Sequence, residues 1–477
     1  MASFPSGNSP GGKYSVCLSR QPLRRAQRVA IVTFIDFISF NQERRTRKFA
    51  LSSMENIIVI TVLIMLSARL AWASVLSLLN ISHVQRCGQS PPGRIPQVMD
   101  METYRKSINY TLAREKFGLF GGCYETIILL LVLFSGFLPW MYEMLGAGGD
   151  SSLFREGMYI ILAMYIISLP DLPLEYYSQF RLEERFGFNR STVRLWVADR
   201  IKGLVIGAVI GAPLTILIIF LIDKLGYFWW LWAFAVLFAF QLIMMVLYPM
   251  LILPWFNTLT PLPEGELKQR LMALANRAGF KARTIQVMDG SKRSGHSNAF
   301  FTGFGRFRRI VLFDTLIEQM NHDELEAVLA HEIGHYKQGH VPRMLALSAI
   351  IFLAGLWVLA GLLNLPAFVD AWGFDFDESG PGPALLLFGL LSGHLVFWLS
   401  PLMGTLSRKH EYESDRFAAR HVGPGPMISA LRRLSKKNLS NLTPHPLYSG
   451  FYYSHPTLFE RENSLMQYAQ DSEQKLQ

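Results

Sequence analysis

The chain contains 477 residues, 51% of them hydrophobic and 17% charged, and its formal net charge at pH 7 is +10. Soluble domains carry about 25% charged residues, so this composition indicates a chain that keeps apolar surface in lipid, and it excludes disorder, collagen-like repeats and coiled coils. The three cysteines are too few and too widely spaced for a disulfide framework or a four-thiolate metal site, so any metal must be bound by His and carboxylates.

Seven apolar runs are long enough to cross a bilayer as helices, which requires about 20 residues. They are predicted at Ile57–Leu79, Phe117–Tyr142, Met158–Leu174, Ile201–Ile222, Tyr227–Leu253, Met344–Phe368 and Ala384–Leu406. Arg69 lies inside the first run, and two interpretations of it stay open. Its side chain either faces an enclosed polar interior or extends along the helix to the membrane surface.

The loops between these runs alternate between strongly basic and weakly charged or acidic. Basic loops remain on the cytoplasmic side of a membrane, so the alternation places the long polar segment after run five and the C-terminus in the cytoplasm. The same loops account for the net positive charge, and no motif predicts a nucleic-acid partner.

The sequence divides into three predicted segments. Residues 1–53 carry clustered Arg and Lys and are expected to be an extension that the fold does not need, because Met54 leads directly into the first run. The alternative is a targeting or tail segment, although a cleaved signal peptide is not expected without an apolar stretch and a small-residue cleavage site. Residues 54–253 are predicted to form a membrane domain with five spans, and residues 254–477 a second domain that includes runs six and seven.

Two polar blocks, Pro254–Arg343 and Ser407–Gln477, are expected to fold together around runs six and seven. The first block is predicted to contain a helix at Glu264–Gly279, a strand at Thr284–Met288, and a β-hairpin formed by Asn298–Thr302 and Arg309–Phe313. Asn321 and the acidic residues after it are typical of a helix start. The chemistry of the chain is expected on the helix that begins there.

This helix carries the sequence H-E-I-G-H from His331 to His335. Residues four apart lie on one helix face, so both imidazoles can bind one zinc ion, and Glu332 points toward the open coordination position where it can act as general base. The alternative is a pair of surface histidines with an incidental glutamate. Gly334 weakly disfavours it, because glycine inside a helix costs up to about 1 kcal/mol and indicates a close backbone approach. His340 is expected near the site or at the surface, but not as a ligand.

A hydrolytic zinc site requires a third protein ligand. The best candidate is Glu411, which is predicted to share a helix face with Asp415 and with small or apolar residues, whereas Glu413 falls on the opposite face. In this interpretation Glu411 binds zinc and Asp415 orients one of the imidazoles. The alternative is a cluster of ion pairs on a helix surface, and spacing alone leaves both open.

Seven runs, the H-E-x-x-H motif before run six, the segment Glu411–Asp415 after run seven and the segment His455–Arg461 together resemble the type I CAAX prenyl protease family, a branch of the glutamate-zincin metalloproteases. The resemblance extends from about Met54 to about Gln467. It implies a mainly α fold, in which seven transmembrane helices form a bundle or barrel around an aqueous chamber. A zincin-like metalloprotease domain with a small β-hairpin would lie on the cytoplasmic side.

The resemblance also implies roles for individual residues. His331, His335 and Glu411 would bind one Zn²⁺, Glu332 would be the base, Asp415 would support a ligand, and His455 and Arg461 would line the site. His455 and Arg461 are suited to donating hydrogen bonds to an oxyanion. Without the resemblance, His455 would be interpreted as an ordinary loop residue and Arg461 as an ordinary surface charge. Asn298, Ala299 and Phe300 resemble an edge strand to which an extended substrate adds, and the alternative is a plain hairpin.

The implied function is hydrolysis near the C-terminus of isoprenylated proteins, in the endoplasmic reticulum if the source is a eukaryote. In the inner membrane of a bacterium prenylated substrates would be lacking, and the protease would instead clear or trim membrane proteins. An HtpX-like quality-control protease shares the zinc chemistry but has fewer spans. A site-2-type protease would place its motif within an apolar run, whereas charged residues such as Asp323 and Lys337 surround it here. Outside the enzymes, a seven-span transporter or receptor would require the three metal-binding side chains to be a coincidence.

Overall fold

The structure is a computed structural model that describes residues 52–147, 152–280, 284–302 and 309–474. These residues belong to one compact unit, Ser52–Gln477. Of the predicted extension at 1–53, all but Ser52 and Ser53 lies outside the described residues, as does the turn of the predicted hairpin.

Helices make up most of the described chain. In chain order they are α1 (Ser53–Gln89), α2 (Met101–Phe134), α3 (Phe137–Met144), α4 (Leu153–Ser168), α5 (Leu172–Tyr177), α6 (Glu184–Phe186), α7 (Val193–Ile206), α8 (Ala212–Lys224), α9 (Trp229–Leu247), α10 (Leu253–Phe256), α11 (Glu266–Arg277), α12 (Asp314–Gln319), α13 (His322–Lys337), α14 (His340–Leu362), α15 (Pro366–Asp370), α16 (Gly382–Val396), α17 (Ser400–Val422), α18 (Pro424–Lys437), α19 (Pro446–Tyr452) and α20 (Leu458–Gln474). Short 3₁₀ and π-helical turns connect several of them into longer helices.

Seven helical segments in the described residues are long and apolar enough to cross a membrane, as the sequence predicts. They are Ser53–Gln89, Met101–Phe134, Leu153–Phe186, Val193–Lys224, Gly226–Phe256, His340–Leu362 and Gly382–Val422. Several continue well past the predicted runs. The seventh, for example, extends to Val422 and carries Glu411 and Asp415 on its last turns.

The predicted limits are wrong at two runs for identifiable reasons. Run two was predicted to continue to Tyr142, but the helix stops at Phe134 because Gly136 adopts the left-handed conformation, with φ of 75°. Run six was predicted to reach Phe368, but α14 ends at Leu362, shortly before Pro366 begins a separate short helix. Proline lacks the N–H that would continue the helix.

Within the described residues the strands form one four-stranded sheet, larger than the strand and hairpin predicted. Its strands are β1 (Leu259–Pro261), β2 (Thr284–Met288), β3 (Ala299–Thr302) and β4 (Arg309–Phe313), in the order β1-β2-β4-β3. β2 and β4 pair in parallel, whereas β1 pairs with β2 and β3 with β4 in antiparallel fashion. β3 is therefore an edge strand, and it packs against α13.

A cavity of about 1280 Å³ joins the membrane helices to the C-terminal residues. Its wall includes Ser77 of α1 and Arg114 of α2 together with His455 and Arg461. Polar side chains inside the spans thus face an interior space, as expected for polar groups at membrane depth. Arg69 is half-buried, and its Nη1 lies 2.6 Å from Nδ1 of His394 on α16.

Candidate metal centre

Helix α13, which carries the H-E-x-x-H motif, is fixed at its first turn. The Asn321 side chain accepts a hydrogen bond from the backbone N–H of Glu324 at 2.9 Å, and Glu324 accepts one from the N–H of Asn321 at 3.0 Å. This reciprocal cap satisfies two N–H groups that a helix start leaves unpaired. The Glu324 carboxylate also accepts from Ser429 and Arg433 of α18, so the start of α13 is tied to the C-terminal helices.

Gly334 allows α13 and α17 to approach each other closely. A Cβ at this position would lie 3.0 Å from Ser414 Cα and 3.2 Å from Phe417 Cβ, both on α17. The expectation that this glycine answers a close backbone approach is confirmed. The contact brings the H-E-x-x-H helix against the helix that carries Glu411.

His331, His335 and Glu411 form a group of possible metal ligands. The His331 and His335 Nε2 atoms are 3.1 Å apart, and they lie 3.3 Å and 3.2 Å from the two Glu411 carboxylate oxygens. Ligands at about 2.0–2.1 Å from a tetrahedral zinc lie roughly 3.3 Å from one another, so this triangle fits the ion. The fit is supported by Oε2 of Glu411, a buried oxygen without a hydrogen-bond partner among the described residues.

Asp415 lies directly behind His331. Its Oδ1 is 2.9 Å from His331 Nδ1, and the carboxylate also accepts from Arg461 Nε at 2.8 Å and Nη2 at 2.5 Å. A neutral imidazole that donates from Nδ1 to a carboxylate presents the lone pair of Nε2, the atom that faces Glu411. Asp415 therefore has the geometry expected for orienting a ligand.

Arg461 is buried among these acidic groups. Two of its nitrogens are occupied by Asp415, and the third, Nη1, is 3.4 Å from Glu411 Oε2. Burial lowers the pKa of Arg461, but the pairing with Asp415 outweighs burial and holds the pKa above its ordinary value, so the guanidinium stays charged.

Glu332 and His455 flank the triangle. Burial raises the pKa of Glu332 above its ordinary value, against the opposing effect of His331 and His335. His455 lines the cavity with an exposed side chain, and its Nε2 is 3.3 Å from Glu411 Oε1. Its Nδ1 is 3.0 Å from Ser454 Oγ. Ser454 was not predicted, since a serine before histidine carries no distinctive signal.

His340 and Glu413 form a second set of contacts behind His335. Nδ1 of His340 is 3.1 Å from His335 Nδ1, and its Nε2 is 2.9 Å from Glu413 Oε2. His340 is buried and is the first residue of α14, which starts after Gly339 in the left-handed conformation with φ of 70°. Of the two positions expected for His340, the one near the site is confirmed.

The residues predicted to bind substrate lie on β3 or next to it. Asn298 is exposed, and its side chain accepts from the N–H of Ala299. The Phe300 ring packs toward Phe313, with ring centroids 6.3 Å apart. Phe300 is paired with Val311 of β4, so its backbone faces the inside of the sheet, and the backbone of Ala299 faces the outer edge.

Comparisons with known proteins cover most of the chain. Residues 80–258 match the model of the CAAX prenyl protease N-terminal domain with five membrane helices, and residues 261–469 match that of peptidase family M48. The CAAX prenyl protease 1 of Saccharomyces cerevisiae is 37% identical over 405 residues, which cover 78% of this chain and 88% of the relative. The human CAAX prenyl protease 1 homolog is 30% identical, with the same coverage of each chain.

A solved structure has the same fold. The crystal structure of Ste24p from S. mikatae is 35% identical and superposes with a TM-score of 0.79. The match covers 88% of this chain and all of that one. The predicted fold class, seven apolar helices with a small sheet, is therefore confirmed.

Proposed function

The chain belongs to the CAAX prenyl protease 1 family of M48 membrane metalloproteases, and we propose that it is a Zn²⁺-dependent endopeptidase that cleaves isoprenylated proteins near their C-terminus. The observation that carries the proposal is the triangle of His331, His335 and Glu411, whose ligand atoms lie 3.1–3.3 Å apart. The substrate class rests on the names of the relatives.

Two imidazoles and one carboxylate are a donor set typical of catalytic zinc, with a fourth position left for water or substrate. Bound zinc supplies a Lewis acid that activates water and polarises the scissile carbonyl. Glu332 takes the proton of the attacking water and returns it to the leaving amine.

His455 and Arg461 have different roles in this proposal. Ser454 Oγ lies 3.0 Å from His455 Nδ1. With Ser454 as the donor, the His455 proton is on Nε2, which faces the site and donates to the oxyanion of the tetrahedral intermediate. Arg461 is fixed by two hydrogen bonds to Asp415, and its remaining nitrogen, Nη1, faces Glu411 and lines the site beside His455. It balances the charge of Asp415 and Glu411 and so keeps both carboxylates ionised.

The substrate enters as an extended chain along the outer edge of β3, next to Asn298, Ala299 and Phe300. Support comes from the position of β3 at the edge of the sheet and its packing against α13. An edge strand presents unpaired N–H and C=O groups to which a peptide adds as another strand. The cavity, which reaches from His455 to the membrane helices, gives a lipidated segment room beside the site.

We place the catalytic domain, residues 254–477, and the C-terminus on the cytoplasmic side of the membrane, on the basis of the loop charges. The membrane is that of the endoplasmic reticulum in a eukaryotic cell and the inner membrane in a bacterial one. Residues 54–253 form the five-span membrane domain. Protease protection of an epitope in the acidic loop near Asp375, compared with one in the C-terminal segment, tests this orientation.

The experiment that tests the function compares two peptides with the same C-terminal sequence, one farnesylated and one unmodified. Full-length protein reconstituted in liposomes with zinc is expected to cleave the farnesylated peptide faster. Glu332→Gln is the control, because it keeps the ligands and removes the base. Equal cleavage of both peptides would contradict a preference for prenylated substrates and favour a role in the general clearance of membrane proteins. Cleavage by Glu332→Gln would overturn the assignment of Glu332 as the base.

A further inference from the structure

The two histidines of the triangle are supported in different ways. Nδ1 of His331 meets the Asp415 carboxylate directly, at 2.9 Å. Nδ1 of His335 instead meets another imidazole, that of His340 at 3.1 Å, and only the far nitrogen of His340 reaches a carboxylate, Glu413 at 2.9 Å. The chain Glu413–His340–His335 is not used by the mechanism described above.

The protons along this chain follow from its one unambiguous acceptor. The Glu413 carboxylate can only accept, so Nε2 of His340 carries a proton. A neutral His340 then has a lone pair on Nδ1, and the facing Nδ1 of His335 must donate to it. His335 is left with its lone pair on Nε2, the atom 3.2 Å from Glu411 Oε1.

We propose that His340 and Glu413 form a positioning relay that holds His335 in the tautomer and ring orientation needed to bind the metal. The inference rests on the proposed zinc site and adds to it a role for two residues outside the ligand set. His340 is a positioning residue and not a fourth ligand. Its Nδ1 contacts the nitrogen of His335 that faces away from the triangle.

The surroundings of His340 fix it in place. The ring is 3% exposed and stacks on His410 of α17 with centroids 4.0 Å apart and 14° between the planes. Glu413 is held in turn by Arg343 of α14, 3.5 Å away. Since His410 and Glu413 flank Glu411 on α17, the relay ties the position of His335 to the helix that supplies the third ligand.

The test measures zinc affinity by chelator competition on full-length wild-type and variant proteins in detergent. His340→Leu removes the acceptor for His335 and is expected to weaken zinc binding 10–100-fold, the range seen when a partner of a ligating histidine is lost. His340→Asn places an amide oxygen near the position of Nδ1 and is expected to restore most of the affinity. His322→Leu is the matched control, because the His322 side chain on the first turn of α13 is 41% exposed and lies outside the relay.

The melting temperature of the zinc-free proteins separates positioning from folding. The relay predicts that zinc-free His340→Leu melts like the zinc-free wild type and that only its zinc affinity falls. Unchanged zinc affinity, or a loss matched by lower zinc-free stability and not rescued by His340→Asn, would overturn it. If His340→Leu does not fold, Glu413→Gln provides the measurement, with a smaller loss of affinity expected and no loss overturning the relay. A wild type that binds no zinc would refute the proposed function instead.

Discussion

Asp415→Asn is the substitution whose consequences follow most directly from the geometry. Three donors point at the two carboxylate oxygens, His331 Nδ1 at 2.9 Å and the Nε and Nη2 atoms of Arg461 at 2.8 Å and 2.5 Å. Asparagine keeps the shape but has one acceptor oxygen, so at least one donor faces an NH₂ group. The change also removes the carboxylate nearest to the buried Arg461 and leaves Glu411 at 3.4 Å and the Glu332 carboxylate to balance its charge.

Removing one partner of a buried ion pair costs about 3–5 kcal/mol of folding free energy, and losing the partner of a ligating histidine weakens metal binding about 10–100-fold. Asp415→Asn is therefore expected to lower both quantities. Denaturant unfolding in detergent measures the first, and zinc competition with a chelator measures the second.

The double variant Asp415→Leu with Arg461→Met separates the two effects. Replacing a buried pair by apolar groups of similar size is close to neutral for stability, so this variant is expected to recover much of the lost stability. Its zinc affinity is expected to stay low, since His331 has no acceptor. An Asp415→Asn protein with wild-type zinc affinity and an unfolding free energy within about 1 kcal/mol of wild type would refute the roles given to Asp415.

Two further predictions concern the helices that hold the site. Gly334→Ala puts a Cβ 3.0 Å from Ser414 Cα and is expected to lower the free energy of unfolding by about 1–3 kcal/mol and to reduce zinc affinity. Gly389→Ala is the control, because its Cβ meets no described atom within 4 Å and the substitution is expected to change neither quantity. Equal effects of the two substitutions on unfolding and zinc binding would contradict the close approach. Translation from Met54 removes Ser52, which caps α1, and is expected to lower the free energy of unfolding by about 1 kcal/mol. Because the loss is confined to an exposed helix end, turnover is expected to stay unchanged. An inactive protein would show that the preceding segment is required.

The metal ligands could be predicted from the sequence because they depend on the spacing of residues within single helices. Residues 331 and 335 share a helix face whatever surrounds them, and Glu411 stood out as a carboxylate on a small, apolar face. The number of spans was equally accessible, since a run of about 20 apolar residues needs no tertiary information. The sequence alone therefore predicts all three proposed ligands.

Contacts set by tertiary structure could not be predicted in this way. β1 has three residues and ends in proline, too short for a strand pattern, and its pairing with β2 depends on the sheet already being present. The pairing of Arg461 with Asp415 joins α20 to α17, residues 46 positions apart. The sequence left open whether His340 lies near the site or at the surface, and the turn at Gly339 decides this by placing its Nδ1 3.1 Å from His335 Nδ1.

The central claim is that His331, His335 and Glu411 together hold one zinc ion, and metal content per chain tests it most directly. Wild-type protein and Glu332→Gln, which loses only the base, are each expected to contain one zinc per chain after dialysis against metal-free buffer. Glu411→Ala is expected to contain almost none, since two imidazoles remain. A wild type without metal, or a Glu411→Ala protein that keeps a full zinc ion, would contradict the account.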